Sequence, residues 1–262
     1  MLPVWLTDTV TPDLGRAMHY TLLWGLQGME LRTVGSAAER VPRVNQRQVA
    51  EGLEANDLLP AAVSPGLFEG PLSARAQWMN GLATFGETAR FAERIGCPRV
   101  VVSAFGEALG EQEKEGEGAG VAEEAVEALS RAVRQAAPAG LTLAVRNETD
   151  GRHATGRSLA RLLDAVERVT LVRCSDGVAS HEPGTWQADG TWENISFGEG
   201  EVGWEEQLRL LSEIGFQGPL SLEINVEPRP KEGLRAATRL IRLIRMTRAA
   251  PRAAPAEAER TE

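Results

Sequence analysis

The chain contains little cysteine, and its two thiols form no recognisable motif. Cys97 and Cys174 lie in no Cys-x-x-Cys spacing and are too few for a disulfide framework, which is typical of a reducing compartment. Both are expected to be buried as small apolar side chains. The opening stretch, MLPVWLTDTVTPD, has no basic region and no apolar run long enough for a signal peptide or a membrane span. These absences predict a cytoplasmic protein with no membrane partner.

Positive charge is also in deficit, since 28 Lys and Arg residues stand against 37 Asp and Glu residues, for a formal net charge of -9. A field of this sign opposes binding to phosphate backbones and to anionic lipid. Nucleic acid is therefore not an expected partner. A small molecule is the expected ligand, and a homo-oligomer is compatible with the sequence.

What the sequence does contain is an alternation of short β-type runs with helical periodicity. Trp78, Leu82 and Phe85, for example, recur at the spacing of one helical face. This alternation predicts parallel strands joined by crossover helices, and therefore an α/β fold of the (β/α)8 TIM-barrel type. With 262 residues the chain has the length of one such barrel. The predicted strands cover residues 4–7, 29–32, 58–63, 99–103, 141–145 and 169–174.

The alternation breaks after the sixth predicted strand. Residues 175–197 show no helical period and are rich in turn residues, which predicts an irregular or shortened segment around strands six and seven. A poor seventh strand is expected at 184–188 or 191–196. The last helix is predicted at 231–248, with Leu234, Ala237, Ile241 and Ile244 facing inward. The barrel domain thus covers residues 1–248, and residues 249–262 are expected to be a disordered tail.

The loop at 107–120 is acidic and rich in glycine. It has few apolar residues to anchor it and carries like charges that repel one another, so it is expected to be mobile and to be cleaved first in limited proteolysis. If the fold is a barrel, this loop lies at the catalytic end, either as a solvated loop or as a lid.

One acidic residue stands in an apolar strand near the end of the chain. Glu223 lies between Leu222 and Ile224, after a helix marked by Trp204 and Leu208. A buried carboxylate costs several kcal/mol unless a cation, a proton or a hydrogen-bond donor meets it. Barrels place their chemistry at the carboxyl ends of the strands, so Glu223 is the leading candidate for a catalytic residue.

Other candidate ligand-binding residues alternate with apolar neighbours or lie in loops of the same end. Glu30 and Arg32 alternate in the second predicted strand, and His181 lies in the loop nearest the expected site. Arg146 alternates with Val145 at the end of the fifth strand, which favours a position at the mouth of the barrel.

Six segments occur in a fixed order that resembles the xylose isomerase-like TIM-barrel superfamily, in particular its sugar phosphate isomerase/epimerase members. They are GLQGMELRTVG, LPAAVSPGLFEG, FAERIGCPRVVVSAFG, LTLAVRN, FGEGEVGW and GFQGPLSLE. The resemblance implies a small sugar or sugar phosphate as substrate and a divalent metal, Mn, Mg or Zn. It also implies that the metal polarises an open-chain sugar while two glutamates move a proton through a cis-enediol.

In that family the metal ligands are a Glu on strand five, an Asp after strand six, a His near strand seven and a Glu on strand eight. Glu223 matches the last of these, and Asp176 resembles the Asp displaced by two residues. Arg146 stands in place of the strand-five Glu and Glu148 lies two residues on, so both join Glu223 as candidate catalytic residues. Trp186 falls where the His is expected, so His181 would have to serve instead.

Two hypotheses follow. In the first, the protein is an isomerase or epimerase whose metal site is rebuilt from Glu223, Asp176, His181 or Glu148. In the second, the barrel is metal-free, or inactive, and binds a small anionic ligand with Arg146 supplying the positive charge. A guanidinium cannot be a metal ligand and repels a nearby dication. The second hypothesis therefore predicts that Arg146 approaches Glu223 and that metal binding is weak or absent.

Overall fold

The computed structural model describes residues 1–35, 39–106, 123–146, 171–179 and 192–249. These residues contain seven parallel strands, with helices between most consecutive pairs, as expected for an α/β barrel, so the predicted fold class is confirmed. The parallel strands are β1 (Leu2–Trp5), β2 (Gly28–Leu31), β3 (Leu59–Val63), β4 (Arg99–Ser103), β5 (Thr142–Arg146), β6 (Val172–Cys174) and β9 (Pro219–Leu222). The helices are α1 (Leu14–Leu23), α2 (Gln46–Ala55), α3 (Arg75–Arg94), α4 (Glu123–Ala136), α5 (Trp204–Glu213) and α6 (Arg229–Ala249).

The strand order determines which side chains meet inside the barrel. Strands β2, β3, β4 and β5 form one parallel sheet, and β1, β9 and β6 form another. A parallel bridge between Leu6 and Glu30 joins the two sheets at β1 and β2. In the described residues β6 pairs directly with β9, with Arg173 opposite Ser221. The carboxyl end of β6 therefore lies beside the carboxyl end of β9.

The irregular segment after β6 contains a small antiparallel hairpin. Strand β7 (Gly177–Ala179) pairs with β8 (Trp192–Asn194). The possible strand at 191–196 thus exists in part, but it pairs antiparallel with β7 and is not a barrel strand. The other possible strand, at 184–188, lies outside the described residues.

Local signals in the sequence account for the ends of several helices. Asp13 accepts a hydrogen bond from the backbone amide of Arg16 at 2.7 Å and so caps α1. Gly25 and Gly96 adopt positive φ angles of 71° and 68° just after α1 and α3, where residues with a Cβ are disfavoured. These turns return the chain to the amino ends of the next strands.

The inward face of the last helix matches the predicted one in part. Leu234 was expected to face inward but is 43% exposed, whereas Ala237 and Ile244 are buried as predicted. Gly233 lies against the ring of Trp24, so close that an added Cβ would come within 2.2 Å of it. Gly233 therefore faces the core, and the neighbouring Leu234 points outward.

The interior of the barrel is lined by small residues and a few polar ones. Ala62, Val101 and Ala144 belong to a small cluster separate from the main core, which lies between the sheet and the helices. Their strand neighbours pack in the main core, and alternation places the small residues on the opposite, inner face. Small side chains leave room inside the barrel for longer polar ones.

Both thiols are buried, as predicted. Burial raises the pKa of Cys97 to about 12 and also raises the pKa of Cys174. No helix within the described ranges is long and apolar enough to cross a membrane.

Candidate active site at the carboxyl ends of the strands

The centre of the site is an arginine that lies between two carboxylates. Arg173 on β6 donates a hydrogen bond from Nη2 to Oε1 of Glu30. Its Nη1 lies 3.9 Å from Oε2 of Glu223. The Arg173 side chain is only 9% exposed. A guanidinium therefore holds the position between the acid of β2 and the acid that follows β9.

Glu30 is the most deeply buried acid of this group, with an exposed fraction of 0%. The hydroxyl of Ser64 donates to its Oε1 and the hydroxyl of Ser221 to its Oε2, each at 2.6 Å. Burial alone would raise the pKa of Glu30, but the charge of Arg173 and the hydrogen bonds from both serines outweigh it. The pKa of Glu30 therefore lies below its usual value. Glu30 is thus a buried anion that holds the guanidinium of Arg173 in position.

Glu223 differs from Glu30 in being accessible. Its side chain is 21% exposed, so it is half-buried at the mouth and not the fully buried acid that its apolar neighbours predicted. Among the described residues its carboxylate oxygens accept no hydrogen bond, and the charge of Arg173 faces them. Of the partners expected for Glu223, a cation, a proton or a hydrogen-bond donor, the structure shows a cation, and the carboxylate itself lies at the mouth of the barrel.

Arg146 is not the residue that approaches Glu223, so that prediction is wrong. Its Nη2 donates to Oγ of Ser103 at 3.2 Å and lies 3.7 Å from Oε1 of Glu69. The register of β4 and β5 places Ser103 opposite Arg146, whereas β6 is the strand that pairs with β9. Arg173 is therefore the arginine within reach of Glu223.

Arg32 lies beside the same centre and is held by an aspartate that the sequence analysis did not identify. Its Nε donates to Oδ2 of Asp8 at 2.8 Å, and the backbone amide of Thr33 donates to the same oxygen at 3.1 Å. Burial lowers the pKa of Arg32, but the hydrogen bond and charge of Asp8, with the charges of Glu223 and Glu30, raise it above its usual value. Arg32 thus stays charged within the field of Glu223.

Asp176 holds a loop in place. Its Oδ2 accepts from the backbone amide of Gly198 at 2.7 Å and its Oδ1 from that of Val202 at 3.4 Å. This loop leads into α5, where Nε1 of Trp204 donates to the carbonyl of Ser175. Both carboxylate oxygens are therefore engaged with the backbone.

The remaining candidate residues lie outside the described parts of the chain. They are Glu148, His181 and Trp186, together with the acidic loop at 107–120. Their roles stay predictions.

The described residues do not fit a divalent metal ion. Within residues 1–35, 39–106, 123–146, 171–179 and 192–249, no group of three or more His, Cys, Asp or Glu side chains could hold a metal. The oxygens of Glu30 and Asp176 already accept hydrogen bonds. The guanidinium of Arg173 beside Glu223 would repel a dication placed there. In this part of the chain the polar groups of the site surround an arginine and do not form a set of metal ligands.

Two small cavities adjoin this centre and differ in charge. The first is lined by three arginines and has polar walls from Ser64, Ser103 and Glu69; the arginines are Arg32, Arg146 and Arg173. The second has acidic walls from Asp176, Glu223 and Glu232. A ligand at the mouth would thus meet guanidinium groups on one side and carboxylates on the other.

Solved structures share the whole architecture. A structure of IolI protein with a binding zinc atom matches with a TM-score of 0.72 and 14% identity, covering 95% of this chain and 100% of that one. A xylose isomerase-like TIM barrel protein from Mycobacterium smegmatis in complex with magnesium matches with a TM-score of 0.68 and 13% identity, covering 94% and 97%. A structure of L-ribulose 3-epimerase matches with a TM-score of 0.65 and 15% identity, covering 97% and 99%. At these identities the likeness establishes the fold alone.

The sequence comparisons assign the family. A search of curated proteins finds no match. The family model described as xylose isomerase-like TIM barrel matches residues 21–178, which is more than half of the chain. The chain therefore belongs to the xylose isomerase-like TIM barrel family.

Proposed function

We propose that the protein binds a small, negatively charged sugar derivative at the mouth of the barrel and moves a proton on it through Glu223. Arg173 supplies the positive charge that a metal ion would otherwise provide. The observation that carries the proposal is the position of Arg173 between Glu30 and Glu223. The superfamily, one of sugar isomerase- and epimerase-like enzymes, supports a small sugar as the substrate class.

The first part of the chemistry is stabilisation of negative charge. Nε and Nη1 of Arg173 are buried and have no hydrogen-bond partner in the described structure. Preorganised donors of this kind stabilise an oxyanion that develops in a transition state. Because the hydrogen bond to Glu30 already fixes the guanidinium, Arg173 does not have to reorganise when that charge appears. Its Nη1, the donor that faces Glu223, therefore suits the oxygen of an enediolate.

The second part is proton transfer. Glu223 is the half-buried carboxylate at the mouth that accepts no hydrogen bond from the described residues. It would take a proton from the carbon next to a carbonyl, while the bonding electrons move to the carbonyl oxygen and form an enediolate. A proton would then move from the neighbouring hydroxyl oxygen to the enediolate oxygen, and the same carboxyl group would return its proton to the former carbonyl carbon, so that the carbonyl and the hydroxyl group exchange places. No oxidant or reductant is consumed.

The alternative is the metal-assisted isomerase or epimerase implied by the family resemblance. It is supported by the zinc and magnesium reported in two of the similar structures. It retains Glu223 as a ligand and needs further ligands from Glu148 and His181. It also needs Arg173 to tolerate a neighbouring dication, which electrostatics disfavours.

The experiment uses solvent deuterium to follow proton transfer. The purified full-length protein is incubated in D2O with a panel of sugar phosphates and sugar acids, with and without a chelator, and carbon-bound deuterium is measured by mass spectrometry. We expect chelator-resistant incorporation that is lost in Glu223→Gln and retained in the matched surface variant Glu205→Gln. Incorporation that requires added metal, or that survives in Glu223→Gln, would contradict the proposal.

A further inference from the structure

We infer that the cavity lined by Arg32, Arg146 and Arg173 is the subsite for the anionic group of the ligand, a carboxylate or a phosphate. This inference rests on the proposed function, because it concerns the same mouth of the barrel, and it adds which residues select the ligand. The guanidinium groups of its walls, the fixed positions of the arginines and the unused donors of Arg173 support it.

Guanidinium groups outnumber carboxylates in the lining of the cavity, although Asp8 and Glu30 pair with two of these groups from outside the lining. Three guanidiniums and one carboxylate, that of Glu69, line the cavity. The formal net charge of the chain is -9, so an anion is not drawn to the protein in general. The cluster of three arginines therefore favours an anion at this cavity.

The three arginines come from separate strands, and each is held by its own partner. Arg32 follows β2 and is bound by Asp8, Arg146 ends β5 and is bound to Ser103, and Arg173 is bound to Glu30. Because the side chains are already ordered, a ligand does not have to immobilise them. Such preorganisation strengthens binding at no extra contact area.

The unused donors of Arg173 point to a ligand independently of charge. Its side chain is nine-tenths buried, and its Nε and Nη1 have no hydrogen-bond partner in the described structure. Buried polar groups are normally satisfied, and a buried donor without a partner is costly. The anionic group of the ligand would satisfy Nε with a charge-assisted hydrogen bond, while Nη1, which lies 3.9 Å from Glu223, is left for the enediolate oxygen.

The size of the cavity bears on which anion enters more easily. Its volume is about 10 Å³, which is room for about one water molecule or one ligand oxygen. A planar carboxylate could place one oxygen there with little rearrangement. The larger phosphate group would require Arg146 to move outward, and its 19% exposed side chain lies at the open edge. The two anions are therefore separate arms of the test.

The test measures affinity by calorimetry with three probes: gluconate, glucose 6-phosphate and uncharged glucose. We expect gluconate or glucose 6-phosphate to bind the full-length protein, and glucose to bind at least about tenfold more weakly because it lacks the charge-assisted hydrogen bonds. Arg146→Gln and Arg32→Gln should each weaken binding of the anion by about tenfold or more. Arg146→Lys should recover part of the loss in the first variant because it keeps the charge. The matched control is Arg47→Gln, because Arg47 is 84% exposed on α2.

The outcomes separate this inference from the proposed function. Equal affinity for glucose and the anions, no binding of either anion, or unchanged affinity in both Arg32→Gln and Arg146→Gln would overturn the anion subsite. A tightly bound stoichiometric metal in the unmodified protein would instead overturn the proposed function. Circular dichroism of each variant shows whether lost affinity reflects lost folding. If Arg146→Gln does not fold, the affinity of the folded Arg146→Lys variant tests the subsite instead.

Discussion

Arg173 on β6 hydrogen-bonds Glu30 on β2, a residue 143 positions earlier in the chain. Strands β9 and β1 stand between β6 and β2 in the sheet, so the contact crosses the interior of the barrel. The pair therefore connects the position of Arg173 to the way in which the strands close the barrel. Such buried pairs add little net stability, but breaking one partner away from the other is costly.

Replacing Arg173 by methionine tests the strength of that link. The variant leaves Glu30 as a buried carboxylate without its cation, so we expect the free energy of unfolding to fall by about 3–5 kcal/mol. Denaturant unfolding measures the change, and Arg47→Met should change stability by less than about 0.5 kcal/mol. Adding Glu30→Gln to Arg173→Met should recover part of the loss, and simple additivity of the two changes would count against a direct pair.

The stability of the protein should fall in acid because of Glu30. Its pKa is lower in the folded protein than in the unfolded chain, so its contribution is complete above the unfolded pKa, about 4.3. That contribution is lost as the pH falls through the folded pKa. The check is the free energy of unfolding from pH 7 to pH 3, where Glu30→Gln should show a smaller decline than the unmodified protein. Parallel curves for the two proteins would contradict the assignment.

Periodicity predicted the fold because the spacing of apolar residues within each segment indicates which face of its helix or strand is buried. The site was only partly predictable. Glu223 was found because a charge in an apolar strand needs a partner, and the same reasoning applied to Val172, Arg173 and Cys174 would have found Arg173. The partner of Glu223 was not predictable, since it depends on β6 pairing directly with β9 where the regular alternation breaks.

The serines and Asp8 carried no usable signal. Ser64 and Ser221 are small residues whose importance depends on what lies opposite them across the barrel. Asp8 lies in a short helical turn after β1 and resembles any solvated loop acid until its contact with Arg32 is known. Such contacts between distant parts of the chain can be predicted only when the order of the strands in the sheet is known.

Asp176 should act as a loop anchor. Asp176→Ala leaves the backbone amides of Gly198 and Val202 without their acceptor, so we expect a loss of about 1–3 kcal/mol in the free energy of unfolding. Hydrogen exchange at those two amides should become faster, while Glu205→Ala, on the exposed face of α5, leaves it unchanged. Unaltered exchange at Gly198 in Asp176→Ala would show that the loop is held by other contacts.

A pair of leucines on α6 tests the orientation of that helix. Leu240→Ala removes a fully buried side chain and should cost about 2–5 kcal/mol, whereas Leu234→Ala should cost less than about 0.5 kcal/mol because Leu234 is exposed. Denaturant unfolding of both variants is the measurement. Equal losses would indicate that α6 is rotated from the position described above.

The metal content of the purified, full-length protein tests most directly whether Arg173 takes the place of a metal ion. Elemental analysis after purification without chelator, followed by calorimetric titration with Mn²⁺, Mg²⁺ and Zn²⁺, gives both the occupancy and the affinity. The guanidinium beside Glu223 predicts substoichiometric metal and no tight, saturable binding. One tightly bound manganese, magnesium or zinc ion per chain would contradict it.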